Sequence, residues 1–412
     1  MTVPHRQLRP DDVADVVVVG GGIIGASTAW QLARRGAGRV VLLERETIAA
    51  GASGRTGALL RQHYTNRPEA SLALESLKVF QNWSDVVGED CGYVPWGLIV
   101  TVDQSSAVAH NVELLAENVA FQRSLGVETS IVTADELAEL QPWATVDDIE
   151  TAAYETRSGY ADSVAATRSM ADAAERAGVD IREGVRTLAV LTDGGQVTGV
   201  QTGDGVIHAG TVVLAAGPWT PALASTAGVD LPIEALRVQV AIVHRPRDLA
   251  EPPFVFLDMA VGFFTRPWGP GRSLIGVAGG DQHDAVDPDD FVHGNDPSYP
   301  AFAKRTAARR IPAMARASYL HGHAGLYDMS PDTHPIIGPI GPGGLWTACG
   351  FSGAGFKKGP AVGQSLAETI LDDRSPLVDL HPFRLSRFDE PGWEAPWSAT
   401  EYLFTSDFGH KL

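Results

Sequence analysis

Cysteine is almost absent: Cys91 and Cys349 are the only two in 412 residues. That excludes a disulfide-stapled secreted scaffold and makes a reducing, cytoplasmic setting the expectation. Positive charge is also scarce, with 32 Lys and Arg against 50 Asp and Glu and a formal net charge of −18. A nucleic-acid-binding surface or a polybasic membrane anchor needs the opposite balance. No apolar run is long enough to span a bilayer; the longest, Val16 to Ala26, is interrupted by Gly20, Gly21, Gly22 and Gly25. The first fifteen residues are polar, with Pro4, Pro10, Asp11 and Asp12, and lack the apolar core of a signal peptide. Only five of the basic residues are lysines (78, 304, 357, 358 and 411), so each merits inspection.

What is present is the composition of a packed chain, 44% apolar and 8% aromatic, with a length that favours two or three domains. Asp15–Val19 (DVVVV) is an unbroken β-branched run, as in a buried parallel strand. Gly20 to Gly25 follows, then a helical stretch, Ala26–Arg35, stopped by Gly36 and Gly38. Arg39–Glu44 is the next strand, completing a βαβ unit. Gly20, Gly22 and Gly25 form a GxGxxG turn between strand and helix, and an acidic residue, Glu44, ends the next strand. The first glycine allows the tight turn, the second lets backbone approach a pyrophosphate, and the third lets helix and strand pack closely. The helix N-terminus then faces the phosphates. Glu44 would accept hydrogen bonds from ribose hydroxyls and repel a 2′-phosphate, which disfavours NADP.

Further along, Glu69–Trp83, Asn111–Leu125, Ala134–Leu140, Ser163–Ala177 and Pro360–Leu371 are predicted helices. Leu98–Val102, Ile181–Val190, Thr211–Leu214 and Gly344–Cys349 are predicted strands, with a hairpin at Gln196–Ala209. Residues 231–325 alternate strands with Pro/Gly turns, as an antiparallel sheet does. Two further glycine-rich segments bear on NAD versus FAD. Arg45 and the loop Gly51-Ala52-Ser53-Gly54-Arg55 offer amides, a hydroxyl and guanidinium groups to a second phosphate or a flavin. Gly350 to Lys357 lies between a strand and a helix, where a second helix N-terminus would hold the far end of an extended cofactor.

The GGGIIG turn, the GAS loop, Ala215-Ala216-Gly217-Pro218-Trp219 and the CGFSGAGFK run from Cys349 to Lys357 resemble the FAD-dependent amino-acid oxidoreductases, the group of D-amino-acid oxidase, glycine oxidase and sarcosine oxidases and dehydrogenases. The resemblance runs to about Phe388. It implies an α/β chain, with a Rossmann-like FAD-binding domain (1–88, 150–230 and 325–388) interleaved with an antiparallel-sheet substrate domain (89–149 and 231–324). A tail, 389–412, lies beyond. It implies oxidation of the C–N bond of a small carboxylate-bearing, N-substituted amino acid by hydride transfer to flavin N5, then imine hydrolysis. The FAD would be held by Gly20, Gly22, Ile23, Ile24, Gly25, Glu44 and Arg45, by Ala52, Ser53, Arg55, Thr56 and Gly57, and by Val185, Ala216, Gly217, Trp219 and Gly325. Gly350, Ser352, Gly353, Gly355, Phe356 and Lys357 complete that set. Arg61 and Lys357 match the cations that bind the substrate carboxylate, Tyr327 matches a tyrosine at that site, and His63 is a further candidate. A buried Arg–Lys pair is costly alone, and an anionic ligand offsets it.

The departures sharpen the expectation. Sarcosine oxidases that tether FAD use a cysteine where this chain has Gly325, and dimethylglycine dehydrogenases use a histidine near the position of Arg55, so the FAD is expected to be non-covalent. The oxidases' oxygen-activating lysine has no counterpart in Ser273–Gly279, which raises dehydrogenase activity with another acceptor to equal standing. The family's substrate-contacting histidine is missing near Gly280. Phe263, Phe264 and Trp268 are candidates for an apolar wall. His321, His323 and His334 lack metal-ligand spacing, so no metal is expected. Asp281–Asp290 reads as a solvated loop, Asp328 and Asp332 as turn formers, and Cys349 as a small buried thiol. Two other readings remain: C–O oxidation of a hydroxy acid, and a flavin-bearing subunit whose acidic surface and aromatic tail assemble with partner chains.

Overall fold

A computed structural model describes residues 12–249, 251, 253–277, 284–393 and 402. The stretch near Gly280, and all of 394–412 except Tyr402, lie outside the described residues.

The βαβ unit forms as its pattern demands. Val16–Val19 and Val40–Leu43 are fully buried parallel strands with helix Ile23–Arg34 between them. They sit in a six-stranded sheet ordered Ile336–Pro339, Leu345–Cys349, Thr211–Leu214, Val16–Val19, Val40–Leu43, Asp180–Arg182. Only the 336–339 edge strand runs antiparallel. Alternate side chains leave on opposite faces. Val16 and Val18 join the core under helices Ile23–Arg34, Ser163–Arg176 and Gly359–Asp372. Val17 and Val19 join the core under a small four-stranded sheet that contains Thr187–Asp193, Gln196–Thr202 and Gly205–His208. Burial on both faces is why these strands are continuous apolar runs.

The expected strand Ile181–Val190 is two strands in different sheets, Asp180–Arg182 and Thr187–Asp193. Gly184, at φ +76°, turns the chain between them. The Gly184 and Val185 amides donate to the Glu46 and Glu44 carbonyls, each at 2.9 Å, which carries the chain past the end of the second strand.

A nine-stranded, mostly antiparallel sheet forms the other layer; its long strands Glu234–His244 and Ser318–Met329 pair along their whole length. One face (Ala241, Val243, Phe263, Ile275) packs under helix Tyr299–Arg310. The other carries Val240, Ile242 and Leu274, with Phe264 and Trp268 against them. This sheet takes in Thr151–Glu155 and all of Ser318–Met329. Among the described residues no helix is long and apolar enough to cross a membrane.

Candidate functional site

A cavity of about 430 Å³ opens where the carboxyl ends of the parallel strands meet the second sheet, the location expected for a ligand in an open α/β sheet. Gly20 sits at φ +116°, and a Cβ there would lie 2.4 Å from the Ala215 carbonyl oxygen. Only glycine lets the first turn run this close to the neighbouring strand. At the N-terminus of helix Ile23–Arg34, the Ile23 amide donates to the Ser53 hydroxyl at 2.9 Å. The Ile24 and Gly25 amides make no hydrogen bond among the described residues. Free helix-terminal amides over glycine backbone make an anion cradle, and this is the feature that fits a dinucleotide. Glu44 points back into the turn: Oε2 accepts from the Gly21 amide at 2.7 Å and Oε1 from the Glu46 amide at 2.8 Å. Burial raises its pKa despite those bonds.

Gly20, Gly22, Ile23, Ile24, Glu44, Arg45, Ala52, Ser53, Arg55, Thr56, Val185, Ala216, Gly217, Trp219, Gly325, Gly353, Gly355, Phe356 and Tyr327 all line this cavity. Gly25, Gly57, Gly350, Ser352, Lys357, Arg61 and His63 lie off its wall. Gly25 faces the Gly20 carbonyl, the close packing the third glycine exists for, and the Phe264 ring covers Gly57. Gly350 and Ser352 shape the second turn: the Gly350 amide donates to Asp328 Oδ2 at 2.7 Å, and the Ser352 amide to the Asp328 carbonyl at 3.0 Å. Asp328 is thus a buried brace, its pKa pushed up to about 6 by burial.

The mouth holds a group that sequence reasoning assigned to a solvated loop. Asp289 accepts from Trp219 Nε1 at 2.8 Å, pairs with Arg186 at 2.9 Å and also pairs with Arg45. Arg45 stacks 4.1 Å over the Trp219 ring. Trp219 and Arg45 were both visible as candidates; their partner lies 244 residues from Arg45, and only the fold shows it. Arg55 spans to His293 and the Ala324 carbonyl.

Arg61, Lys357 and Tyr327 converge beside the cavity. Lys357 is 8% exposed and makes no hydrogen bond or ion pair among the described residues. Burial first, then the charges of Arg61 and Lys358, hold its ammonium pKa well below the usual value. Arg61 stacks 4.1 Å over the Tyr64 ring and donates to the His63 carbonyl. Its charge also reaches the Tyr327 hydroxyl, whose pKa burial raises. The Tyr327 ring lies on Gly353, where a Cβ would meet it at 2.7 Å.

Beneath this group is an ion cluster that no local pattern signals. Asn66 caps helix Arg67–Gln81 through the Glu69 amide at 3.0 Å. The Glu69 side chain pairs with Lys358 and, at 2.6 Å, with His334 Nδ1. Burial alone would raise the Glu69 pKa; Lys358 and His334 outweigh it and hold it well below normal. Lys358 also sits 4.1 Å over the Tyr64 ring.

His63 is buried behind the wall. Gln122 Nε2 reaches its Nδ1 at 3.2 Å, and the hydroxyl of Tyr402, from the tail, meets its Nε2 at 2.5 Å. Burial and the Arg61 charge lower its pKa to about 3, so the ring is neutral. Glu155, also buried, accepts from the Gln62 amide at 2.8 Å, and burial pushes its pKa up to about 7. His321 and His323 share a strand face; His323 bonds the Arg55 carbonyl at 3.0 Å. Asp332 is tied to Arg387 at 2.9 Å. Cys349 is fully buried in the core, its pKa raised to about 12. Phe263 faces the core under helix Tyr299–Arg310, whereas Phe264 and Trp268 lie on the other face.

A glycine-turn dinucleotide cavity roofed by an antiparallel sheet defines a flavin-type oxidoreductase fold. The chain belongs to the FAD dependent oxidoreductase family, whose profile matches residues 15–369, and it is a FAD-dependent enzyme of that family. It is 29% identical over 389 residues to the sarcosine oxidase subunit beta of Arthrobacter sp, covering 92% of each chain. It is 28% identical to the mitochondrial sarcosine dehydrogenase of Homo sapiens, spanning 95% of this chain but 43% of that protein. Among solved structures, the L-proline dehydrogenase of P. horikoshii superposes with a TM-score of 0.83 at 25% identity, covering 92% of this chain and 98% of the other.

Proposed function

We propose that the chain holds FAD non-covalently in this cavity and oxidises the C–N bond of a small, carboxylate-bearing, N-substituted amino acid. The observation that carries the reading is Lys357: a buried amine with no hydrogen bond or ion pair among the described residues and with its charged form disfavoured, beside Arg61 and Tyr327 at the cavity's edge. A buried cation without an anion is unfavourable, and a carboxylate supplies the missing charge. The amides of Ile24 and Gly25, with Ser53, would hold the pyrophosphate; the turn Gly350–Phe356 would hold the other end. When bound, FAD supplies the hydride acceptor. Arg61 and Lys357 fix the substrate carboxylate by charge-assisted hydrogen bonds, and Tyr327 contributes a hydroxyl beside them. Holding the substrate this way is catalysis by orientation, and the imine product then hydrolyses. Neither buried cysteine reaches the cavity wall, which supports an untethered cofactor. No lysine occupies Ser273–Val277, which favours an acceptor other than oxygen.

The test is anaerobic mixing of purified protein with sarcosine, dimethylglycine, proline, glycine, D- and L-amino acids and hydroxy acids, following flavin absorbance. Bleaching by an N-substituted amino acid is the expected result; bleaching by hydroxy acids alone would overturn it. Admitting air then separates the acceptors: slow reoxidation is expected, and rapid reoxidation would mark an oxidase. The similarity to a protein named as a subunit favours one second reading, a flavin-bearing chain that works within an assembly. Full activity of a lone monomer would remove it.

A further inference from the structure

The sheet face that walls the site carries at its edge an arginine in no ion pair among the described residues, Arg266, and a second arginine, Arg245, lies just past the end of a neighbouring strand. Arg266 lies two residues beyond Phe264 on strand Phe263–Pro267, so both side chains leave on the same face. Register carries that face across the sheet. Arg266 opposes Leu274, Leu274 opposes Ile242, and Ile242 opposes His321. On that last strand the same face presents His323, Gly325 and Tyr327.

Arg266 is only 5% exposed. Its Nε donates to the Gly57 carbonyl at 2.5 Å and its Nη1 to the Pro267 carbonyl at 2.9 Å. Its Nη2 makes no hydrogen bond among the described residues. The guanidinium carbon lies 4.6 Å from the Tyr160 ring centre and 4.4 Å from that of Trp268. Burial lowers its pKa to about 10, the mark of a desolvated cation without an adequate counter-charge. Arg245, just past the end of strand Glu234–His244, feels the same Tyr160 hydroxyl. It bonds the Ser273 hydroxyl at 3.2 Å, and its Nε is buried with no partner. The acid that Arg266 feels is Asp162, whose carboxylate caps helix Ser163–Arg176 and forms no ion pair with either arginine.

We propose that Arg266, supported by Arg245, receives a second anionic group on the substrate, so that the preferred amine is a dicarboxylate bound by Arg61 and Lys357 at one end and by Arg266 at the other. This rests on the reading that Arg61 and Lys357 take the first carboxylate. A guanidinium fork matches a planar carboxylate in bidentate geometry, and the Tyr160 and Trp268 rings keep water from screening the pair. The same chemistry would serve a distal phosphonate or phosphate.

The test titrates the holoenzyme with non-reacting pairs, succinate, glutarate and adipate against monocarboxylates of equal chain length, read by flavin absorbance and calorimetry. At least one dicarboxylate is expected to bind tenfold or more tightly than its monocarboxylate, and Arg266→Gln is expected to abolish that preference. A phosphonate at the distal end, in place of the carboxylate of the best ligand, identifies the source: weaker binding assigns a carboxylate, tighter binding a phosphate-like group. Should Arg266→Gln fail to fold, Arg266→Lys answers, because a point charge lacks the fork and the preference should still fall at least threefold. Equal affinities throughout, or a preference that survives both variants, would overturn the proposal. These ligands are not turned over, so they report on Arg266 even if no amine is oxidised. Oxidation of monocarboxylate amines with no preference for a second carboxylate would remove this inference and leave the function standing.

Discussion

At the scale of single residues, the site is governed by how few anions answer its buried cations. Lys357 has a depressed pKa because burial and neighbouring positive charges disfavour its ammonium form. A bound carboxylate restores that form. Ligand binding at a pH above the lowered lysine value should therefore take up a proton, and affinity should weaken as pH rises further above that value. Calorimetry in buffers of different ionisation enthalpy measures the uptake directly; buffer-independent heats would count against it. Lys357→Met should lower kcat/KM on the order of tenfold to a hundredfold, the worth of a charged hydrogen bond. The Glu69–Lys358 pair makes a different prediction. Glu69→Gln strands Lys358 in the interior and should cost about 3–5 kcal/mol in denaturant unfolding. Adding Lys358→Met should recover most of that, because the stranded charge is gone.

At the scale of elements, strands place the chemistry and turns tune it. Strand Thr151–Glu155 buries the Glu155 carboxyl, which ionises near 4.5 when solvated and holds its proton to about 7 in the fold. Folding therefore binds a proton across that window, and this residue makes stability fall as pH rises through it. Glu155→Gln should flatten that part of the stability profile and be more stable than the parent at pH 8; an unchanged profile would show the carboxyl to be solvated. The second glycine turn is equally constrained. Gly353 sits at φ +85° with the Tyr327 ring where a Cβ would go. Gly353→Ala should displace Tyr327 and lower flavin content after purification, read from the ratio of visible to protein absorbance.

At the scale of the molecule, segments far apart in the chain meet behind the site. Tyr402 lies 339 residues from its partner His63 and packs among Leu114, Leu115 and Val119. Tyr402→Ala should cost about 3 kcal/mol in unfolding, since it empties a buried aromatic position and leaves His63 Nε2 without its partner. Tyr402→Phe separates the two effects: it keeps the packing and loses the bond, so it should cost about 1 kcal/mol.

The local part of this protein was legible in its residues. The GxGxxG turn, Glu44, the strand after them and the turn from Gly350 to Phe356 follow from backbone chemistry within a few dozen positions, where chain connectivity does the positioning. Lys357, one lysine among five, stood out for the same reason. Asp289 beneath Trp219 and Arg45, Glu69 against Lys358, Tyr402 on His63 and Arg266 on Tyr327's sheet face were not legible. Each joins segments far apart in the chain that only the tertiary fold brings together; for Arg266 and Tyr327, both on strands, register decides it, and a one-residue slip would send either side chain to the opposite face. Sequence pattern determined which chemistries the chain carries. Sheet pairing decided which of them share a cavity, because side-chain direction across a sheet is a property of the whole ladder and of no single strand.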